Sequence, residues 1–213
     1  MLGNALIILD SPLLDDSRAE PIIEKILDIP EGQLSPKQLA MARFARAQLL
    51  FAQGKSEEAQ AEQEQALLVQ PRNPDIHVMI GRRQFREGNY ELAVESIRRA
   101  IEYEPNRAGF HIDLARILMG MPGRESAREA VASVERALAT FPENPSLLIL
   151  LGAAHEAAED VEAALESYEK ANELRESGVP EALLAMGSLQ RRQRDFDAAA
   201  ESFEKATDIY QRR

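Results

Sequence analysis

Histidines, paired carboxylates and arginines are the side chains of this chain that could do chemistry, and their spacing argues against catalysis. His77 and His111 stand 34 residues apart, one structural period, which keeps them from converging on a single metal. With His155 they read as structural or surface residues. No His-Glu-x-x-His pattern occurs, and no glycine-rich loop follows a strand. The acidic pairs Asp15-Asp16, Glu57-Glu58 and Glu159-Asp160 lie near helix starts, where carboxylates favour the helix dipole. Capping and solubility explain them better than acid–base work. With no cysteine there is no disulfide, thiol nucleophile or thiolate metal site. Met119 and Met121 read as space-fillers. The chain reads as a non-enzyme that needs no cofactor and no metal.

Charge and composition narrow the partners. A net charge of −11 opposes nucleic-acid binding, because the phosphate backbone would be repelled. Hydrophobic residues make up 45% of the 213 positions, yet aromatics are only 5% and tryptophan is absent. Alanine, the best helix former, supplies much of the apolar content and tilts the chain towards all-α structure. The longest apolar run, Leu147 to Ala154, is too short to span a membrane, so no direct insertion is expected. Met1–Asp10 lacks the basic start of a secretory signal. The address therefore reads as cytoplasmic, with the periplasm open if the chain is a mature or excised fragment. Basic residues are mostly arginine, a hint of a GC-rich bacterial genome.

These side chains must be positioned by something periodic. Ala59-x6-Ala66-x4-Pro71, Ala93-x6-Ala100-x4-Pro105 and Ala130-x6-Ala137-x4-Pro142 share one internal spacing, and their prolines are 34 and 37 residues apart. Ala164-x6-Ala171 and Ala199-x6-Ala206 continue the series without the proline. A period near 34 with helical spacing inside it marks stacked helix pairs, none of which can bury its apolar face alone. The clearest unit starts at Pro74. His77, Ile80, Gly81 and Gln84 share one helical face, Gly88-Asn89 breaks the pattern, and a second helix carries Ala93, Ile97, Ala100 and Ile101 up to Pro105. The small residues are expected where a neighbouring backbone crosses, and Pro105 ends its helix for want of an amide hydrogen.

His77-x2-Ile80-Gly81 followed by Ala93-x3-Ile97-x2-Ala100-x4-Pro105 resembles the tetratricopeptide repeat. Leu148-x2-Leu151-Gly152 with Ala164-x3-Tyr168-x2-Ala171 matches again, as does Leu183-x2-Met186-Gly187 with Ala199-x3-Phe203-x2-Ala206. The resemblance implies an all-α, right-handed solenoid of stacked antiparallel helix pairs. Five repeats are predicted over about 40–73, 74–107, 108–144, 145–179 and 180–213, within a 36–213 domain. Residues 1–35 precede them as a degenerate N-terminal pair or cap. There Ser17–Asp28 reads as a helix with Ile22, Ile23, Ile26 and Leu27 on its apolar face, and Leu2–Asp10 as the remains of its partner. Ser35-Pro36 is a helix start.

Two units depart from the pattern. Three extra residues between Leu118 and Ala130 predict a longer turn over Gly120–Ser126. Arg43 and Arg46 stand where large apolar residues normally sit, so the first helix of that unit is expected to be shifted or unusually exposed.

In the resembled family the first helix of each pair lines a concave groove and the second covers the convex back. In that register the groove carries Arg82, Arg86, Arg116, Arg191 and Arg192. Phe44, Phe51, Val78, Phe85, Ile112, Met119, Ile149 and Leu184 are interleaved with them. Acids such as Glu58, Glu62, Glu91, Glu95, Glu129, Glu135, Glu162 and Glu166 fall on second helices. Arginines gathered on one wall suit a protein or peptide segment with carboxylates and an apolar stripe, since the guanidinium makes forked bonds to carboxylates. The plain alternative is that these arginines only pair with acids on neighbouring helices. The Lys/Asn clamp of the family's chaperone-binding members has no counterpart here.

Three function classes follow. The first is an adaptor that binds a polypeptide in its groove, within a bacterial multiprotein assembly. The second is a module that self-associates through uncapped ends into homo-oligomers. The third is the regulatory part of a larger enzyme. The apolar run to Ile209-Tyr210 leaves the last unit without a polar cap, so either that face pairs with something or the chain is cut from a longer protein.

Overall fold

The computed structural model describes residues 16–30 and 32–211, and the expected remnant at Leu2–Asp10 lies outside them. Every regular element among these residues is helical: α1 Asp16–Leu27, α2 Pro36–Ala52, α3 Ser56–Val69, α4 Pro74–Arg86, α5 Tyr90–Tyr103, α6 Ala108–Gly120, α7 Arg124–Thr140, α8 Pro145–Ala157, α9 Val161–Glu173, α10 Pro180–Arg192 and α11 Phe196–Gln211. The fold is the all-α solenoid of stacked helix pairs. No helix among the described residues is long and apolar enough to cross a membrane.

The chain divides into two compact units, one ending at Met79 and the other beginning at Ile80. In the first, α2 packs along α3, and α1 packs on α2. Ile23 of α1 meets Ala45 and Leu49 of α2, with Ile22 and Leu27 at the margin. In the second unit each helix from α5 to α11 packs against the next along the chain.

Local sequence explains why the helices start and stop where they do. Ser35 closes a capping box: its hydroxyl accepts from the Gln38 amide while its own amide donates to Gln38 Oε1 at 2.9 Å. Asn144 accepts from the amides of Ser146 and Leu147, and Pro145 fills the next position, where its missing amide hydrogen costs nothing. Four of the five helix pairs are joined by three residues whose middle member has positive φ: Gly54, Gly88, Glu159 and Arg194. In each, the third residue's amide returns to a carbonyl five positions back, as in Lys55 to Leu50 and Asn89 to Gln84. This satisfies carbonyls left open at the helix end.

Side-chain size sets the packing. Ala59, Ala66, Ala93, Ala100, Ala130, Ala137, Ala164, Ala171 and Ala206 are completely buried, and Ala199 is 3% exposed. The glycines of the first helices do a different job from the one expected. A Cβ on Gly152 would lie 2.4 Å from Tyr168 Cε1, and one on Gly187 would lie 2.9 Å from Phe203 Cε1. These glycines clear space for a large side chain of the following helix, not chiefly for its backbone.

Two expectations are corrected. The link between α6 and α7 is not a longer turn. It keeps three residues, 121–123, and the insertion lengthens α7 instead. Arg124, Glu125 and Ser126 add most of a turn before the position equivalent to the start of α5 or α9, and α7 reaches 17 residues against their 14 and 13. Good helix formers, an acid in the first turn and burial of Ala127 favour that outcome. Nor is α2 unusually exposed. It buries Ala40, Ala42, Phe44, Ala45, Ala47, Leu49 and Leu50. Arg43 and Arg46 both reach Glu62 on α3, at 3.1 and 3.6 Å, so that acid turns towards the first helix instead of the back.

Gly152→Ala is expected to destabilise the protein in urea denaturation. Overpacking against buried Tyr168 costs about 1–3 kcal/mol, which exceeds the gain of up to ~1 kcal/mol from replacing a helical glycine. Arg194→Gly is expected to stabilise by about 0.5–1 kcal/mol, because Arg194 sits at φ 65° where an L side chain is strained. An unchanged or lower denaturation midpoint for that variant contradicts the strain.

Candidate functional site

First-type helices of successive pairs touch one another directly, α6 with α8 and α8 with α10, within the second unit. These first-type helices form one wall, and the predicted arginines on it fall in two groups. Arg82 of α4 donates through Nε and Nη2 to Asp113 Oδ2 of α6, at 3.1 and 2.9 Å. Arg192 of α10 pairs with Glu156 of α8. Both are committed to the neighbouring first-type helix. Arg86, Arg116 and Arg191 are exposed and make no ion pair among the described residues. Internal pairing thus accounts for Arg82 and Arg192 and not for Arg86, Arg116 or Arg191.

The apolar residues also divide. Phe44 is fully buried and Val78 is 4% exposed, so both are core residues and do not face a guest. Phe51 is half-buried in the first unit. Phe85 meets Tyr90 edge-on at 5.7 Å, and both rings lie against the position of Gly120. Ile112 packs against Ala108, Ala137 and Leu147, and Ile149 against Leu148, Ala171, Val179 and Ala182. Each keeps part of its surface open, as does Met119. Leu184 is 38% exposed. Leu150, which the sequence reading passed over, is also half-buried on α8. Its signal was available: it stands one helical repeat after Asp113.

Beneath this wall lies a polar contact that the sequence did not reveal. Tyr168 of α9 donates its hydroxyl to Glu156, whose other oxygen receives Arg192. One carboxylate thus ties together α8, α9 and α10. Burial pushes the Tyr168 phenol up to about 12. Lesser versions recur, with Ser96 donating to Gln84 and Ser202 to Gln190, both at 2.8 Å.

The histidines are structural. Nε2 of His77 and of His111 lies 2.9 and 2.7 Å from the carbonyls of Pro71 and Pro105, and a carbonyl can only accept, so each Nε2 carries the proton. Each bond ties a first helix to the turn before it. Among the described residues no group of three or more His, Asp or Glu side chains could hold a metal. On the outer face Lys170 and Lys205 hold the carboxyls of Glu166 and Glu201 below the usual range, chiefly through direct hydrogen bonds. Arg98 of α5 pairs with Glu129 of α7.

Comparison with known proteins agrees with this architecture. Residues 64–182 match the model of the cytochrome c-type biogenesis protein H TPR domain, and residues 42–73 and 180–212 match the tetratricopeptide repeat. Among solved structures, the chain is similar to MamA 41-end from Desulfovibrio magneticus RS-1, with 21% identity and a TM-score of 0.66 over 82% of this chain and 96% of that one. It is similar to PilW, a type IV pilus biogenesis factor, with 20% identity and a TM-score of 0.67 over 88% and 83%. It is also similar to YrrB, a TPR protein with an unusual peptide-binding site, with 18% identity and a TM-score of 0.60 over 80% and 86%. These likenesses establish the fold. No curated protein sequence matches the chain.

Ionisation of Tyr168 supplies a check on the three-helix tie. An unfolded tyrosine ionises near pH ~10, so the stability that burial of the neutral phenol contributes is fully present below that pH. It is lost as the pH rises through about 12. Tyrosinate absorbance of the folded protein should show one late-ionising group that Tyr168→Phe removes. A difference titration with its midpoint near pH ~10 contradicts the buried bond.

Proposed function

Because the chain belongs to the family of the cytochrome c-type biogenesis protein H TPR domain, we propose that it is a non-enzymatic scaffold in the assembly of c-type cytochromes. It holds a segment of a partner polypeptide against the wall built by α4, α6, α8 and α10. In this reading residues 36–213 act as five repeats, and 1–35 lead into them. The observation that carries it is the layout of that wall. Exposed Arg86, Arg116 and Arg191 of α4, α6 and α10 make no ion pair among the described residues, while partly open Ile112, Met119, Ile149 and Leu184 lie on α6, α8 and α10.

Unspent guanidiniums beside apolar surface favour a guest with carboxylates and an apolar stripe. Exposed pairs on the second-type helices, such as Glu95 with Arg99, offer little electrostatic gain. The peptide-binding site of the similar YrrB and the biogenesis role of PilW are consistent with a polypeptide guest and an assembly setting.

The test replaces the chromosomal gene with Arg116→Glu/Arg191→Glu. Both residues are exposed, so helicity and melting temperature should stay near those of the parent while covalently haem-bearing c-type cytochromes fall several-fold. Unchanged cytochrome levels after complete deletion of the gene overturn the assignment.

A further inference from the structure

Arg82 and Asp113 form one ion pair between α4 and α6, and the corresponding positions between α6 and α8 lack the acid. Arg82 on α4 holds Asp113 on α6 through two hydrogen bonds to one oxygen. One repeat later, the residue equivalent to Arg82 is Arg116, 34 positions on. The residue equivalent to Asp113 is 37 positions on, the difference being the three residues added to α7, and it is Leu150. The acid that would receive Arg116 is thus replaced by an apolar side chain. α6 and α8 are in direct contact, as the bonding requires of such a pair. Arg116 is exposed and makes no ion pair among the described residues, and Leu150 is half-buried.

Arg116 cannot be satisfied from α8. The single acid of that helix, Glu156, already receives Tyr168 and Arg192. A cation whose register partner is a leucine instead of an acid has the chemistry of a half-site.

Resting on the scaffold reading, we propose that Arg116 and Leu150 form a specificity subsite. It takes an Asp or Glu side chain of the guest polypeptide, with an adjacent aliphatic residue of the guest lying on Leu150 and Ile149. The guest carboxylate completes the register that Asp113 completes one repeat earlier. Ion pairs of this kind are directional and charge-assisted, so they discriminate acid from amide more sharply than an apolar groove does.

The test is selection of a randomised 12-residue peptide display library on the full chain, followed by affinity measurements on the variants Arg116→Gln, Leu150→Asp and Arg136→Gln. Arg136 is an exposed outer-face control of equal charge change, and circular dichroism confirms that each variant is folded. Selected peptides should be enriched in an acid next to Leu, Ile or Val. Their binding should weaken on the order of tenfold in Arg116→Gln and in Leu150→Asp, where the protein supplies its own acid, and stay unchanged in Arg136→Gln. Peptides without acid enrichment, or binding equally well to Arg116→Gln, overturn the subsite and leave the scaffold reading intact. A folded parent protein that selects no peptide at all overturns both.

Discussion

Close approach of helix backbones, made possible by alanine at ten interior positions, is the constraint on which the rest of the molecule depends. A helix whose buried face is built from methyl groups lets its neighbour come near enough for both to be covered. The ten paired alanines are 0–3% exposed from Ala59 to Ala206. Each is too small to contribute much transfer free energy by itself, at about 0.8 kcal/mol per buried methylene equivalent. Their role is geometric. They fix the distance at which larger residues such as Tyr168, Ile97 and Val134 fill the remaining space. Glycines 81, 152 and 187 extend the same principle to the partner helix, where any Cβ would collide with the large residue opposite.

From that spacing follows the electrostatic character of the wall. First-type helices that touch bring arginine and carboxylate groups more than thirty residues apart into contact, Arg82 with Asp113 and Arg192 with Glu156. These pairs lie at partly exposed positions, where their net contribution to stability is small. Their larger effect is to decide which cations remain available. An arginine held by a neighbouring first-type helix has its acid, and Arg116, which faces leucine in the register, makes no ion pair among the described residues.

The insertion in α7 shows how a solenoid absorbs a change in length. Three residues added to a turn would expose backbone groups that need partners. Added to a helix start, they supply their own hydrogen bonds and bury Ala127 as well. The turn before them stays at three residues, with Gly123 taking φ 106°. The register of the wall is preserved beyond it, so α8 still meets α6.

By itself the sequence determined the helix pairs, their period and the identity of the small interior residues. These properties are local: spacing of three and four along a helix, a proline after the second helix and a backbone breaker between the two are written in neighbouring residues. The chemistry classes it excluded rested on composition in the same way. What only the tertiary structure decided is the fate of individual side chains on the wall. Phe44 and Val78 read as groove residues by register but are covered by packing that no single helix specifies. Arg82, Arg116 and Arg192 all stand on first-type helices and differ in the residue that a neighbouring first-type helix places opposite. That residue is set by contact between segments a full repeat apart, and a period in the sequence says where it stands but not which partner it has already taken.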